Sequence, residues 1–297
     1  MARILLQTTI VDTKDDWHVG RFSLLAEELR RSGHEVTVRN RDEGVDDPVL
    51  TALHGLAFDQ LWLMAVDRGG GLSAEDAGGI LRFRGRGGGI VTARDHQDLG
   101  SCLVRLGLIG QLNHFHSRNP EPGARRDDED NPGILWPNYH SGANGDYQKV
   151  FAAVPVHELL RTGRTASGRI EWFPAHPHEG AVSVPEGCRL ATAIGRGRSS
   201  VTGRGFNLGV ALDRDVSSDG RSRGRALACS TFHHFADMNW NVDAGAPSFV
   251  TDPPGQEIKR DPARLEIFKD YVRNIAGWLS AGPEGGPGLR TQAGAEA

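Results

Sequence analysis

Cysteine is scarce in this 297-residue chain, which has only Cys102, Cys188 and Cys229. No C-x-x-C or other pairing motif joins them, so the sequence offers no disulfide framework and reads as a reduced, cytoplasmic protein. Long apolar runs are missing as well, and none approaches the ~20 residues that a membrane span needs. The opening Met1-Ala2-Arg3-Ile4-Leu5-Leu6 passes directly into a strand pattern rather than a signal peptide. An excess of positive charge is absent: the formal net charge is -4, which gives no electrostatic footprint for nucleic acid. Neither Gly69-Gly70-Gly71 nor Gly87-Gly88-Gly89 sits between a strand and a helix with Lys-Ser or Lys-Thr behind it, so neither is a phosphate loop. There is no internal repeat. These absences leave a globular protein with a small-molecule substrate, no nucleic-acid or membrane partner, and a composition compatible with a homo-oligomer.

What is present is an alternation of strand and helix patterns. Arg3 to Thr9 reads as a strand, Phe22, Leu25, Ala26 and Leu29 as a helical stripe stopping at Gly33, and His34 to Val38 as a second strand. Asp59 to Val66 is the near-continuous apolar run of a strand buried on both faces. Ser73 and Asp76 have capping-box spacing ahead of Ala77, Ile80 and Leu81. Ile90 to Ala93 is a fourth strand, and Leu99, Cys102, Leu103 and Leu106 follow at helical spacing, with Gly107 as the stop. The series predicts an α/β fold with a doubly wound parallel sheet.

Beyond residue 108 the pattern weakens, and Arg118 to Asn138, rich in Pro, Gly, Asp and Arg, reads as a long surface loop or lid. Strands are expected again at 169–173, 181–184, 190–194 and 206–212, and Arg225 to Phe232 is the best late strand. Asp261-Pro262 opens a last helix with Leu265, Phe268, Val272, Ile275 and Leu279 on one face. The expected organisation is one domain over 1–282 with an insertion at about 108–225, and a disordered tail over 283–297.

Ionisable residues gather where strands end. Asp95, His96 and Asp98 follow the fourth strand, and in an open α/β sheet ligands bind at the carboxyl ends of strands. Asp95 and Asp98 also have the spacing of a helix cap, which would put His96 in a first turn, where the dipole favours neutral imidazole. His233-His234 closes the late strand, with Asp237 behind it, so His96 and His233 are expected to converge on one crevice. His176-Pro177-His178-Glu179 and His114-Phe115-His116 each put two imidazoles on one face of an extended segment, as metal sites require. Cys229 lies inside an apolar strand and reads as core rather than nucleophile. Trp62, Trp172 and Trp278 read as core too, whereas Trp240 is placed to line a pocket.

Three short segments carry a family resemblance: Arg94-Asp95-His96-Gln97-Asp98-Leu99-Gly100, His176-Pro177-His178-Glu179-Gly180 and Phe232-His233-His234. Together with Gly87-Gly88-Gly89 leading into a strand and sharp turn, they resemble the class I glutamine amidotransferase-like superfamily. The match is to a bacterial branch related in outline to the trehalose-utilisation-type proteins. That resemblance implies a flavodoxin-like sheet, a nucleophile elbow after a central strand and a catalytic histidine after a late one. The elbow here contains no cysteine between Thr92 and Asp98, so hydrolysis of glutamine through a thioester is not expected. Arg94 also stands where the branch has glycine.

The resulting expectation is a hydrolase or lyase for a small polar substrate. Asp95, His96, Asp98, His233 and His234 are its candidate catalytic residues, with Asp95 or His96 as base or nucleophile and His233 as acid or metal ligand. His176, His178 and Glu179 are candidate ligands for a divalent metal, zinc being the natural choice for imidazole and carboxylate. The alternative is a catalytically inactive binding or assembly protein on the same fold. Histidines held about 10 Å or more apart, far beyond hydrogen-bond reach, would favour that alternative.

Overall fold

The computed structural model describes residues 1–123, 127, 133–216 and 222–280. Eight strands form the main sheet: β1 (Arg3–Thr8), β2 (Glu35–Arg39), β3 (Gln60–Met64), β4 (Gly89–Ala93), β5 (Phe151–Ala152), β6 (Ala191–Arg198), β7 (Gly205–Leu212) and β8 (Ala226–Cys229). Their spatial order is β2-β1-β3-β4-β8-β7-β6-β5. The first five in that order run parallel, and β7, β6 and β5 continue the sheet antiparallel.

Alternation along the central strands explains why helices cover both faces. Ile4, Leu6, Trp62, Met64 and Val91 belong to one apolar cluster, while Leu5, Leu61, Leu63 and Ile90 belong to another. A strand apolar on both faces needs a layer on each side. Helix α1 (Ser23–Arg31) and the long α3 (Pro262–Ser280) pack on the first face, and α2 (Ala74–Gly85) on the second. The expected capping box of α2 is present, with Ser73 Oγ accepting from the Asp76 N–H and Asp76 accepting from the Ser73 N–H. The architecture is a flavodoxin-like, doubly wound α/β fold carrying a large inserted region.

Part of the segment expected as an insertion extends the main sheet, because β6 and β7 pair with each other and β7 pairs with β8. The other expected strands stay outside it: Trp172–Pro174 pairs with Tyr147–Lys149, and Ala181–Val182 with Asn113–His114. The regular helix expected after β4 is not formed. A 3-10 turn at Ser101–Arg105 and a short helix at Leu108–Gln111 replace it. Gln97 (φ 48°), Gly100 (φ 82°) and Gly107 (φ 55°) adopt left-handed backbone that interrupts helical hydrogen bonding. Gly100 also lies so close to Ala65 that a Cβ would sit 2.7 Å from its carbonyl oxygen. The expected tail over 283–297 lies outside the described residues.

Candidate metal centre

Register places the first two residues of the site. β8 runs parallel to β4 with Cys229 opposite Ala93, so two residues further along each chain Asp95 faces Thr231. The Thr231 hydroxyl donates to Asp95 Oδ1 at 3.1 Å. Thr231 also caps the 3-10 turn Phe232–Phe235 by accepting from the His233 N–H at 3.1 Å. Consecutive side chains in such a turn point about 120° apart, so His233 and His234 serve different partners.

The third contributor comes from the inserted region. Gly180 lies against the Asp95 turn so closely that a Cβ there would be 2.4 Å from the Asp95 carbonyl oxygen. Its N–H donates to the Ser230 carbonyl at 3.0 Å. Glycine permits this contact, and the contact lowers His176 onto the other two residues. His176 Nε2 lies 3.3 Å from Asp95 Oδ1, and His233 Nε2 lies 3.4 Å from Asp95 Oδ2. The two imidazoles stack at 3.5 Å between centroids and 11° between planes. One ligand atom from each of Asp95, His176 and His233 falls within 4.8 Å of the others, a buried set able to chelate a divalent metal ion.

The donor chemistry fits a cation. His176 Nε2 is buried and makes no hydrogen bond, while its Nδ1 lies 2.9 Å from Asn144 Oδ1. A lone pair therefore faces the carboxylate rather than an N–H. Burial is the largest influence on all three groups. It lowers His176 well below the ordinary imidazole value, reinforced by positive charge on His233, and it lowers His233 against the pull of Asp95. Burial alone would raise the Asp95 carboxyl, but His176, His233 and His96 outweigh it and hold the group well below the usual carboxylate range. Metal binding needs neutral imidazoles and an ionised carboxyl, and each of the three shifts runs in that direction.

His96 joins the cluster from the side, its Nδ1 3.1 Å from Asp95 Oδ2. His178 lies beside it, with ring centroids 5.1 Å apart. These two rings are less enclosed than the set beneath, with side-chain exposures of 20% and 14% against 4% or less for Asp95, His176 and His233. On the opposite side Trp17 meets the His233 ring edge-on at 4.5 Å and Phe232 stacks on it at 4.4 Å.

The remaining candidates lie elsewhere. Asp98 Oδ1 accepts from the Ser117 N–H at 2.9 Å, and no helix starts at Asp95, so the expected dipole contribution to His96 is absent. Glu179 and His234 form a separate buried cluster, His234 Nε2 being 3.4 Å from Glu179 Oε2. Ser141, Gln148 and Ser230 all donate to that carboxylate. His114 spends its ring nitrogens on the Asn119 carbonyl and the Ser183 hydroxyl, and His116 packs against Trp136. Trp240 is buried and donates to the His234 carbonyl at 2.8 Å. Cys229 is buried beside Tyr271, and burial pushes its thiol up to about 12.

Arg94 is fully buried beneath the turn. It donates to the Gln97 carbonyl at 2.6 Å and lies over the Phe115 ring at 4.2 Å. Burial lowers its guanidinium to about 9. It props the 95–100 turn in the shape that an interrupted helix does not supply. Thr231, Asn144 and Trp17 went unmarked in the sequence. Thr231 alone left a trace, as the residue two positions before His233 at a strand end.

The sequence matches no protein-family model, and no curated protein matches it. Solved structures do resemble the fold. A putative ThuA-like protein from Parabacteroides merdae superposes with a TM-score of 0.55 at 16% identity, covering 94% of this chain and 90% of that one. A cytoplasmic protein from Salmonella typhimurium LT2 gives a TM-score of 0.50 at 9% identity, covering 93% and 99%. Among the described residues no helix is long and apolar enough to cross a membrane. These likenesses establish a distant structural relationship between this chain and ThuA-like and cytoplasmic bacterial proteins, at the level of the fold.

Proposed function

We propose that the protein is a divalent-metal-assisted hydrolase or lyase for a small polar substrate, built on a glutamine amidotransferase-like fold without that superfamily's cysteine. The Asp95/His176/His233 set carries this reading. Two imidazoles and one carboxylate leave coordination positions open, the arrangement of a catalytic rather than a structural site. When bound, such an ion supplies Lewis-acid polarisation of a substrate oxygen or of water. Zinc fits the donor set and needs no redox partner.

The chain's own residues have separable roles in this proposal. Asp95, His176 and His233 hold the ion. Asp95 also orients His96 by accepting from its Nδ1–H, which leaves His96 Nε2 as the acceptor able to take a proton. His178 flanks His96 on the less enclosed side, where substrate enters. Trp17 and Phe232 exclude water from the far side of His233. Asp98 and Glu179-His234 shape the surroundings without touching the ion.

The inactive-binder alternative is favoured by dispersed histidines, and the 3.5 Å stacking of His176 on His233 weighs against it. Elemental analysis of protein purified without a histidine tag tests the proposal, followed by zinc and cobalt titration of the metal-free form. One divalent ion per chain, lost in Asp95→Asn and His176→Ala with the fold intact, is the expected result. Absence of stoichiometric binding would overturn it.

A further inference from the structure

A buried chain of side-chain amides runs from the backbone to His176. Gly145 N–H donates to Asn239 Oδ1 at 2.7 Å. Asn239 Nδ2 donates to the His233 carbonyl at 2.9 Å and to Asn144 Oδ1 at 3.1 Å. Asn144 Oδ1 in turn lies 2.9 Å from His176 Nδ1. Asn144 and Asn239 are essentially fully buried.

The two ends of this chain cannot be reversed. A backbone N–H is always a donor and a backbone C=O always an acceptor. Gly145 therefore requires oxygen from Asn239, and the His233 carbonyl requires the nitrogen. That fixes the amide orientation of Asn239 and aims its second N–H at Asn144. Asn144 must answer with oxygen, since a flipped amide would set donor against donor. Its own Nδ2 is buried with no hydrogen-bond partner, so this side chain serves through its oxygen alone. An oxygen facing His176 Nδ1 demands a proton on Nδ1, which leaves Nε2 unprotonated toward Asp95.

We infer that Asn239 and Asn144 are positioning residues that lock His176 in the Nδ1–H tautomer and so hold its Nε2 lone pair ready for a metal ion. This inference rests on the metal reading above for its purpose, but the tautomer itself does not depend on it. Asn239 also ties the two histidine-bearing segments together, because the same amide nitrogen binds the His233 carbonyl.

Two isosteric substitutions separate this role from a packing role. In Asn144→Asp the acceptor toward His176 Nδ1–H remains, now carrying a carboxylate's charge, and the only group lost is an N–H without a partner, so cobalt(II) affinity should not fall. In Asn239→Asp the donors to Asn144 and His233 vanish. Asn144 is then free to turn its Nδ2 toward the new carboxylate and toward His176, moving the imidazole proton to Nε2. Loss of a partner that orients a ligating histidine costs about 10- to 100-fold in metal affinity, and that loss is expected here.

The direct readout is long-range 1H–15N correlation of the histidine rings in metal-free protein. Wild type and Asn144→Asp should show His176 protonated at Nδ1, and Asn239→Asp should show it protonated at Nε2. An Nε2–H tautomer in the wild type would overturn the inference, as would equal losses of cobalt(II) affinity in the two variants. If Asn239→Asp does not fold, the wild-type spectrum and Asn144→Asp still decide. If wild type binds neither cobalt(II) nor zinc(II), the metal reading falls while the tautomer result stands by itself.

Discussion

Among the described residues two carboxylates, Asp95 and Glu179, lie buried against histidines, and they are solvated in opposite ways. Glu179 accepts from Ser141, Gln148 and Ser230, three neutral donors that satisfy it in place. Asp95 accepts from the Thr231 hydroxyl, lies 3.1 Å from His96 Nδ1, and otherwise faces the Nε2 atoms of His176 and His233. A buried carboxylate needs compensation from somewhere. Glu179 finds it in dipoles, and Asp95 finds it mainly in the three imidazoles around it. The first cluster is a structural tie between the inserted region and β8, and the second is the set able to chelate a cation.

The largest effects should follow from breaking the asymmetry at Asp95. His176→Ala or Asp95→Asn removes one of three ligands, roughly a third of the ~10–16 kcal/mol that zinc binding yields in small peptides, so affinity should fall by about 1000-fold. Competition against a chelator measures it, and unchanged affinity in either variant would remove that residue from the ligand set. Glu179→Gln should show the reverse pattern. Zinc affinity should hold within a few-fold, while the mispaired amide facing Gln148 costs about 1–3 kcal/mol of stability, read as denaturant midpoint.

Acidification sharpens the same contrast. His176 and His233 have lower pKa values folded than unfolded, so below the unfolded value of about 6.5 the unfolded chain binds more protons. Stability of the metal-free protein should therefore be fully present above that pH and decline as pH falls from about 7 to 5. Asp95, held low, adds a further loss only below its unfolded value of about 4. His176→Ala should flatten the upper part of that profile in thermal-midpoint measurements, and an unaltered slope would assign it to other groups. The smallest effect belongs to the thiols. Alkylation of native protein should reach the half-buried Cys188 before the buried Cys102 and Cys229, and zinc stoichiometry should not change.

Legibility followed physical range. The parallel half of the sheet was readable because two-sided burial writes continuous apolar runs, as in Leu61-Trp62-Leu63-Met64. The last helix announced itself through Asp261-Pro262 and a five-residue stripe. His96 and His233 were placed at strand ends by topology, and both do reach the Asp95 carboxylate. The helix expected after β4 does not form: the stripe reports burial, and Cys102, Leu103 and Leu106 are buried equally well by a 3-10 turn. Spacing in His176-Pro177-His178-Glu179 gave no hint that Glu179 faces His234 instead of its neighbours' partner. Asn144 and Asn239 were invisible, since their meaning arises only from a contact across about a hundred residues of chain.

The depth of the Asp95 set has a consequence in time rather than in affinity. Asp95, His176 and His233 are each 3% exposed or less, beneath His96 and His178 and against Trp17. An ion would reach or leave so enclosed a set through local opening of that cover, so exchange should run at the rate of the opening. Strong chelators would then strip the protein slowly and with a half-life independent of chelator concentration. Which metal occupies purified protein would record what was present while the chain folded, more than what the buffer later contained.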